Sequence, residues 1–284
     1  MKLLKKIIVG LAMVPTLALA NEAGFPLDRA PDQSSKLESL QNGAKLFVNY
    51  CLNCHSAAAM RYNRLKDIGL TDKQIEGNLL FASDKVGDLM KVALSPKDAK
   101  EWFGAAPPDL SVIARAKASE AGSGPDWLYT YLRAYYRDST RPTGWNNAVF
   151  DNVGMPHVLW ELQGAKRGAH IEEIKEVKKD DKIVGFAKTV ISFDENGNRS
   201  EETTPLEGME HHVGKHVSLG KAAGGKLSSA EYDHAVADLV SYLTWMGEPA
   251  QDTRKRLGPW VLLFMGIFVV LAWRLNASYW KEVK

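Results

Sequence analysis

Apolar side chains recur at steps of three and four from Leu37 through Leu40, Ala44 and Phe47 to Tyr50. That period marks a helix with one buried face. Ser34 or Ser35 stands where its N-cap belongs. Gly43 falls in the middle, where glycine costs about 1 kcal/mol relative to alanine; its presence predicts a close crossing with another helix. A second helix is written in "SSAEYDHAVADLVSYLTWMGEP", with Ala235, Leu239, Tyr242, Leu243 and Met246 apolar and Gly247 and Pro249 ending it. Between the two helices, residues 164–228 are rich in Lys, Glu and Gly and read as an insertion. Within it, "KIVGFAKTVISFDENGNRSEE" carries β-branched runs on both sides of Asn196-Gly197, which predicts a hairpin.

The chain ends are apolar in a different way. Lys2, Lys5 and Lys6 precede an uncharged run from Ile7 to Leu19, and Ala18-Leu19-Ala20 is a small-x-small site. This is the pattern of a secretory leader cut after Ala20, so residues 1–20 are expected to be removed and the remainder exported. At the other end, "GPWVLLFMGIFVVLAW" has no charge, and the run extends to Trp280 if Arg274 snorkels to a headgroup layer. Pro259 suits a first helical turn, and Trp260, Trp273, Tyr279 and Trp280 suit the two interfaces. Residues 254–280 therefore read as one membrane anchor, with 281–284 as a short tail inside. Basic residues flank both ends, so the orientation follows from the leader.

Charge separates these parts. The leader holds 3 basic residues, and the stretch from 254 to the end holds 6 basic and 1 acidic. That leaves 27 basic and 33 acidic residues over 21–253, a net charge of −6. An acidic exported domain does not suit nucleic acid; it suits a basic protein.

The chain has 2 cysteines, both in "NYCLNCHSAA". In an oxidising compartment a pair suggests a disulfide. A zinc site wants more ligands, and a thioredoxin-like site wants a βαβ setting that this stretch lacks. Cys51, Cys54 and His55 together form Cys-x-x-Cys-His, the attachment pattern of haem c. Two thioethers tether the porphyrin to one turn, and the next imidazole projects at the iron.

The sixth ligand decides between small-ligand chemistry and electron transfer. Met60 lies five residues after His55, on the same side. Met90 has no loop to aim it, Met246 reads as helix core and Met265 lies in the anchor. Met155 is the best placed, between Gly154 and Pro156 in "DNVGMPHVLW". His157 and Met209 remain as alternatives, and His211, His212 and His216 could hold a separate metal.

The helix into the haem turn and the late "DLVSYL" helix resemble the class I cytochrome c fold. "CLNCHS" with "MRYNRL", "GAAPPDLSVIARAK", "NVGMPHVLW", "DLVSYLTWMGEPA" and a single C-terminal span, in that order, resemble the cytochrome c1 family. The resemblance covers most of the chain after the leader. It implies a mainly α fold: a class I cytochrome c-like haem domain with a hairpin-bearing insertion and one C-terminal transmembrane helix. It implies that Cys51 and Cys54 bind one haem c and that His55 and Met155 ligate iron. It further implies that Arg115 pairs with a haem propionate and that Pro107 and Pro108 run along the haem edge. The implied partners are a cytochrome b, a Rieske iron–sulfur donor and a soluble cytochrome c acceptor. The implied place is the bacterial inner membrane, with the haem domain on the periplasmic side. Such a chain is one subunit of an oxidoreductase, without a complete quinol-oxidising site. A free-standing anchored shuttle to an oxidase, and a haem sensor or peroxidase, are the rival readings.

Overall fold

The computed structural model describes residues 24–179, 182–208 and 211–282. The expected leader, the end of the tail and Met209 lie outside these. The elements run α1 (Leu37–Leu46), a π-helical turn (Phe47–Cys51), β1 (Ala57–Arg61), a 3-10 helix (Tyr62–Ile68), α2 (Asp72–Asn78), β2 (Leu89–Met90), α3 (Pro96–Phe103), α4 (Ile113–Ala116), α5 (Gly124–Arg133), β3 (Tyr135–Arg137) and β4 (Trp145–Asn147). They continue with α6 (Trp160–Gln163), β5 (Ala169–Lys179), β6 (Lys182–Phe193), β7 (Arg199–Leu206), β8 (Gly214–Leu219), α7 (Ser229–Gly247) and α8 (Gln251–Tyr279).

Helices α1 and α7 cross at Gly43. A Cβ there would lie 2.2 Å from the Asp238 carbonyl oxygen and 2.6 Å from Tyr242 Cβ, so only glycine permits the approach. The crossing is closed by a buried carboxylate: Ser39 Oγ donates to Asp238 Oδ1, and Asn42 Nδ2 donates to Asp238 Oδ2 at 2.7 Å. Asp238 is 3% exposed, so losing these donors would strand a charge away from water. Helix α7 is buried continuously from Val236 to Leu243. Its start is fixed by a capping box between Ser228 and Glu231.

Two details of α1 differ from the expectation. Lys36, not a serine, occupies the N-cap, and no side chain caps the helix. The Ser34 hydroxyl instead donates to Asp32 Oδ1 at 2.6 Å, a local turn that competes with capping. Leu37, the first member of the apolar stripe, is exposed, whereas Leu40, Ala44 and Phe47 are buried.

A close backbone approach also seats α5 on α4. A Cβ on Gly124 would overlap the Ala114 carbonyl oxygen at 1.8 Å. Ser123 caps α5, accepting from the Asp126 N–H. One core joins α1, the turn after it, α4, α5 and α7, with Met155 packed against it.

Strands β5 to β8 form a four-stranded antiparallel sheet in the order β7-β6-β5-β8. The two expected runs pair across Asn196-Gly197, with Phe193 opposite Arg199. The sequence predicts only that hairpin; β5 and β8 extend it. A small cluster of Tyr136, Ala169, Ile171 and Phe193 joins the sheet to β3.

Helix α8 has 29 residues, about 43 Å at 1.5 Å per residue. By length and composition it can cross a membrane, and its most apolar window has a mean hydropathy of 1.8. It starts at Gln251, so Pro259 lies inside the helix rather than in its first turn. Gln251–Gly258 is already helical before the proline.

Candidate functional site

The π-helical turn brings the two cysteines together. The Leu52 N–H reaches back to the Phe47 carbonyl at 3.0 Å, and the Cys54 and His55 N–H groups both donate to the Cys51 carbonyl at 3.1 and 2.9 Å. The two thiols are not joined to each other. Burial, with the neighbouring Cys54, pushes the Cys51 thiol up to about 12. Among the described residues no cluster of three His, Cys, Asp or Glu side chains could hold a separate metal, His211, His212 and His216 included.

His55 is fixed from across the chain. Its Nδ1 lies 2.7 Å from the Pro108 carbonyl oxygen. A carbonyl only accepts, so Nδ1 carries the proton and Nε2 keeps its lone pair. Burial lowers the His55 pKa, with the Pro108 carbonyl and Asp109 acting in the other direction; the ring is therefore neutral at pH 7. The segment after Pro108 is laced to the segment after His55. Leu110 N–H donates to the Ser56 carbonyl at 2.8 Å. Ala58 N–H donates to Asp109 Oδ2 at 2.7 Å, and Ala59 N–H to Ser111 Oγ at 3.0 Å. Pro108 thus acts through its carbonyl, a role its residue type could not reveal.

Met155 sits in a loop held by asparagines. Asn147 Oδ1 accepts from the Val149 and Phe150 N–H groups at 2.9 and 3.2 Å. Asn152 has φ 60°, a left-handed backbone that asparagine tolerates. Arg141 clamps it through two donors, both at 3.0 Å. Two tyrosines then touch Met155. The Tyr131 hydroxyl lies 3.5 Å from Sδ, and the Tyr135 hydroxyl lies 3.3 Å from the Met155 carbonyl oxygen. Sequence reasoning missed both, although Tyr131 and Tyr135 lie four apart across the end of α5, where side chains share a face.

His157 and three of the other methionines are buried. His157 is 2% exposed. Its ring stacks on Tyr135 at 4.8 Å and meets Trp145 edge-on at 4.9 Å. Burial drops its pKa to about 3, and Nε2 has no hydrogen-bond partner. Both aromatic rings pack against it. Met60, Met90 and Met246 are buried in the core. Arg115, on α4, is two-thirds exposed, with its guanidinium 3.9 Å from Glu248. Glu248 is gripped more closely by Arg254, at 3.0 Å through one nitrogen.

The residues fit a covalently attached haem. Two unpaired thiols share one turn, a neutral imidazole offers Nε2, and a thioether lies among apolar groups. With a membrane-length helix at the C-terminus, these features describe an anchored c-type cytochrome. The comparisons with known proteins agree. The model of the cytochrome c1 family matches residues 30–180 and 224–283. A cytochrome c1 of Allochromatium vinosum is 40% identical over 274 residues, covering 96% of each chain. A protein of Nitrosomonas europaea named ammonia monooxygenase gamma subunit is 38% identical over 283 residues, covering 100% of both. A cytochrome c1 of Rhodospirillum rubrum is 26% identical, covering 99% of this chain and 98% of its own. The chain belongs to the cytochrome c1 family. That family supplies the electron-transfer haem subunit of the cytochrome bc1 complex and carries one covalently bound haem c. The family match omits residues 181–223, which hold β6, β7 and β8.

Proposed function

We propose that this chain takes an electron from a Rieske iron–sulfur protein and hands it to a soluble cytochrome c, working beside a cytochrome b. Its haem domain faces the periplasm of a bacterial inner membrane, with a class I cytochrome c-like core and residues 164–228 as an insertion. When bound, the haem supplies a one-electron Fe(III)/Fe(II) couple. Cys51 and Cys54 would hold it by thioethers. His55 would offer Nε2 to the iron, with Pro108 fixing the tautomer. Met155 would offer Sδ, and thioether ligation would raise the potential of the couple toward that of a Rieske donor. Arg115, loosely engaged at 3.9 Å by Glu248, is available to turn to a propionate. The net charge of −6 over 21–253 suits steering of a basic cytochrome c.

The observation that carries this reading is the 2.7 Å contact between His55 Nδ1 and the Pro108 carbonyl. It supports reading the motif histidine as a pre-oriented ligand rather than a surface residue. The test is mild detergent extraction, a haem stain on a denaturing gel and identification of the copurifying chains. A cytochrome b and a Rieske protein are expected. Copurification with monooxygenase subunits, or with an oxidase alone, would overturn the assignment of partners.

A further inference from the structure

We propose that Tyr131 and Tyr135 form a hydroxyl pair that sets the donor strength of the Met155 thioether, and through it the reduction potential of the iron. The proposal rests on the reading of Met155 as an axial ligand and goes beyond it. Three contacts meet at this point. Tyr131 Oη lies 3.5 Å from Met155 Sδ, Tyr135 Oη lies 3.3 Å from the Met155 carbonyl oxygen, and the two hydroxyls lie 2.6 Å apart. Each hydroxyl has one proton, so two protons serve three contacts. Only two arrangements use both and also place a proton in the 2.6 Å contact between the hydroxyls. In one, Tyr135 donates to Tyr131 and Tyr131 donates to the sulfur. In the other, Tyr131 donates to Tyr135 and Tyr135 donates to the carbonyl, and the sulfur receives nothing.

The arrangements differ at the iron. A thioether has two lone pairs, so it can ligate and accept a hydrogen bond together. The hydrogen bond draws density from sulfur and weakens its donation. Weaker donation stabilises Fe(III) less than Fe(II), so the potential rises. The second arrangement leaves sulfur the stronger donor and the potential lower. The two rings are held in register for this exchange. Trp127 stacks on Tyr131 at 4.6 Å and 13°, and His157 stacks on Tyr135 at 4.8 Å and 9°. Asn147 Nδ2 donates to the Tyr131 carbonyl at 2.8 Å, tying the end of α5 to the loop that carries Met155. Both tyrosines are buried, which keeps bulk water from replacing either contact.

The two positions therefore act with opposite sign. Tyr131→Phe removes the hydroxyl that touches sulfur. Tyr135→Phe removes the branch that draws the Tyr131 proton away, and leaves sulfur as its acceptor.

The experiment is a redox titration of the full holo-chain in detergent, with the methionine-to-iron charge-transfer band recorded for each form. Tyr131→Phe is expected to shift the ferric/ferrous equilibrium several-fold toward ferric, a tenfold shift being about 59 mV for one electron. The band should persist at altered energy. Tyr135→Phe should leave the equilibrium unchanged or move it toward ferrous. The proposal is overturned if Tyr131→Phe keeps the wild-type potential and band, if it abolishes the band, or if both variants shift toward ferric together. Met155→Ala separates the two layers. Loss of its band with a silent Tyr131→Phe sinks the tyrosine pair alone, and persistence of the band sinks the ligand reading beneath it.

Discussion

The two flanks of the haem site are built in different ways. On the His55 flank the decisive contacts use main-chain atoms: the Pro108 carbonyl on Nδ1 and the Leu110 N–H on the Ser56 carbonyl. On the Met155 flank they use side chains: two tyrosine hydroxyls, two asparagines and one arginine. A main-chain contact survives substitution as long as the fold does. A side-chain contact changes with the residue. On the proposed ligation the histidine flank would be the fixed end of the site, and the methionine flank the place where sequence would adjust the potential without disturbing attachment.

The largest effect that would sharpen this contrast comes from Met155→Ala. Loss of the thioether is expected to shift the ferric/ferrous equilibrium toward ferric on the order of a hundredfold, while the haem stain on a denaturing gel stays intact because attachment lies on the other flank. Redox titration and the stain, run together, check both halves. Next comes Gly43→Ala. A methyl 2.2 Å from the Asp238 carbonyl forces α1 and α7 apart. Overpacking of this kind costs about 1–3 kcal/mol, read as a lower midpoint in denaturant unfolding followed by haem absorbance. A midpoint equal to wild type would show that the crossing is looser than the geometry implies. Asp109→Ala removes acceptors for the Ala58 and Ser111 N–H groups. It should cost about 1–2 kcal/mol and, because it removes a negative charge that acts on His55, move the ferric/ferrous equilibrium toward ferrous, by far less than Met155→Ala moves it. A large shift in potential would break the contrast between the flanks. The smallest effect is expected from His157→Phe, which keeps an aromatic ring against Tyr135. Its charge-transfer band should match wild type, and unfolding should move by less than about 1 kcal/mol.

The sequence exposed what is local and hid what is not. Cys51, Cys54 and His55 lie within five residues, so their chemistry could be read directly. Gly43 announced a crossing because glycine in a helix needs a reason. The Pro108 contact joins residues 53 apart, and the Tyr131 contact joins residues 24 apart, so neither leaves a local trace. Strand β5 was masked by charge. Ala169 and Ile171 face inward, but Glu172 and Lys188 pair at 3.0 Å on the other face, and the run "EEIKEVKK" has no alternation of apolar and polar residues. Pro259 misled in the opposite direction. It favours a helix start, yet the preceding turns were already helical from Gln251.

Near-infrared magnetic circular dichroism of the oxidised holo-chain tests the axial pair most directly, because methionine–histidine and bis-histidine haems place their charge-transfer transition at different energies. A methionine–histidine transition that vanishes in Met155→Ala and survives in His157→Phe is the predicted result. A bis-histidine transition in the unmodified chain, lost on replacing His157, would contradict it.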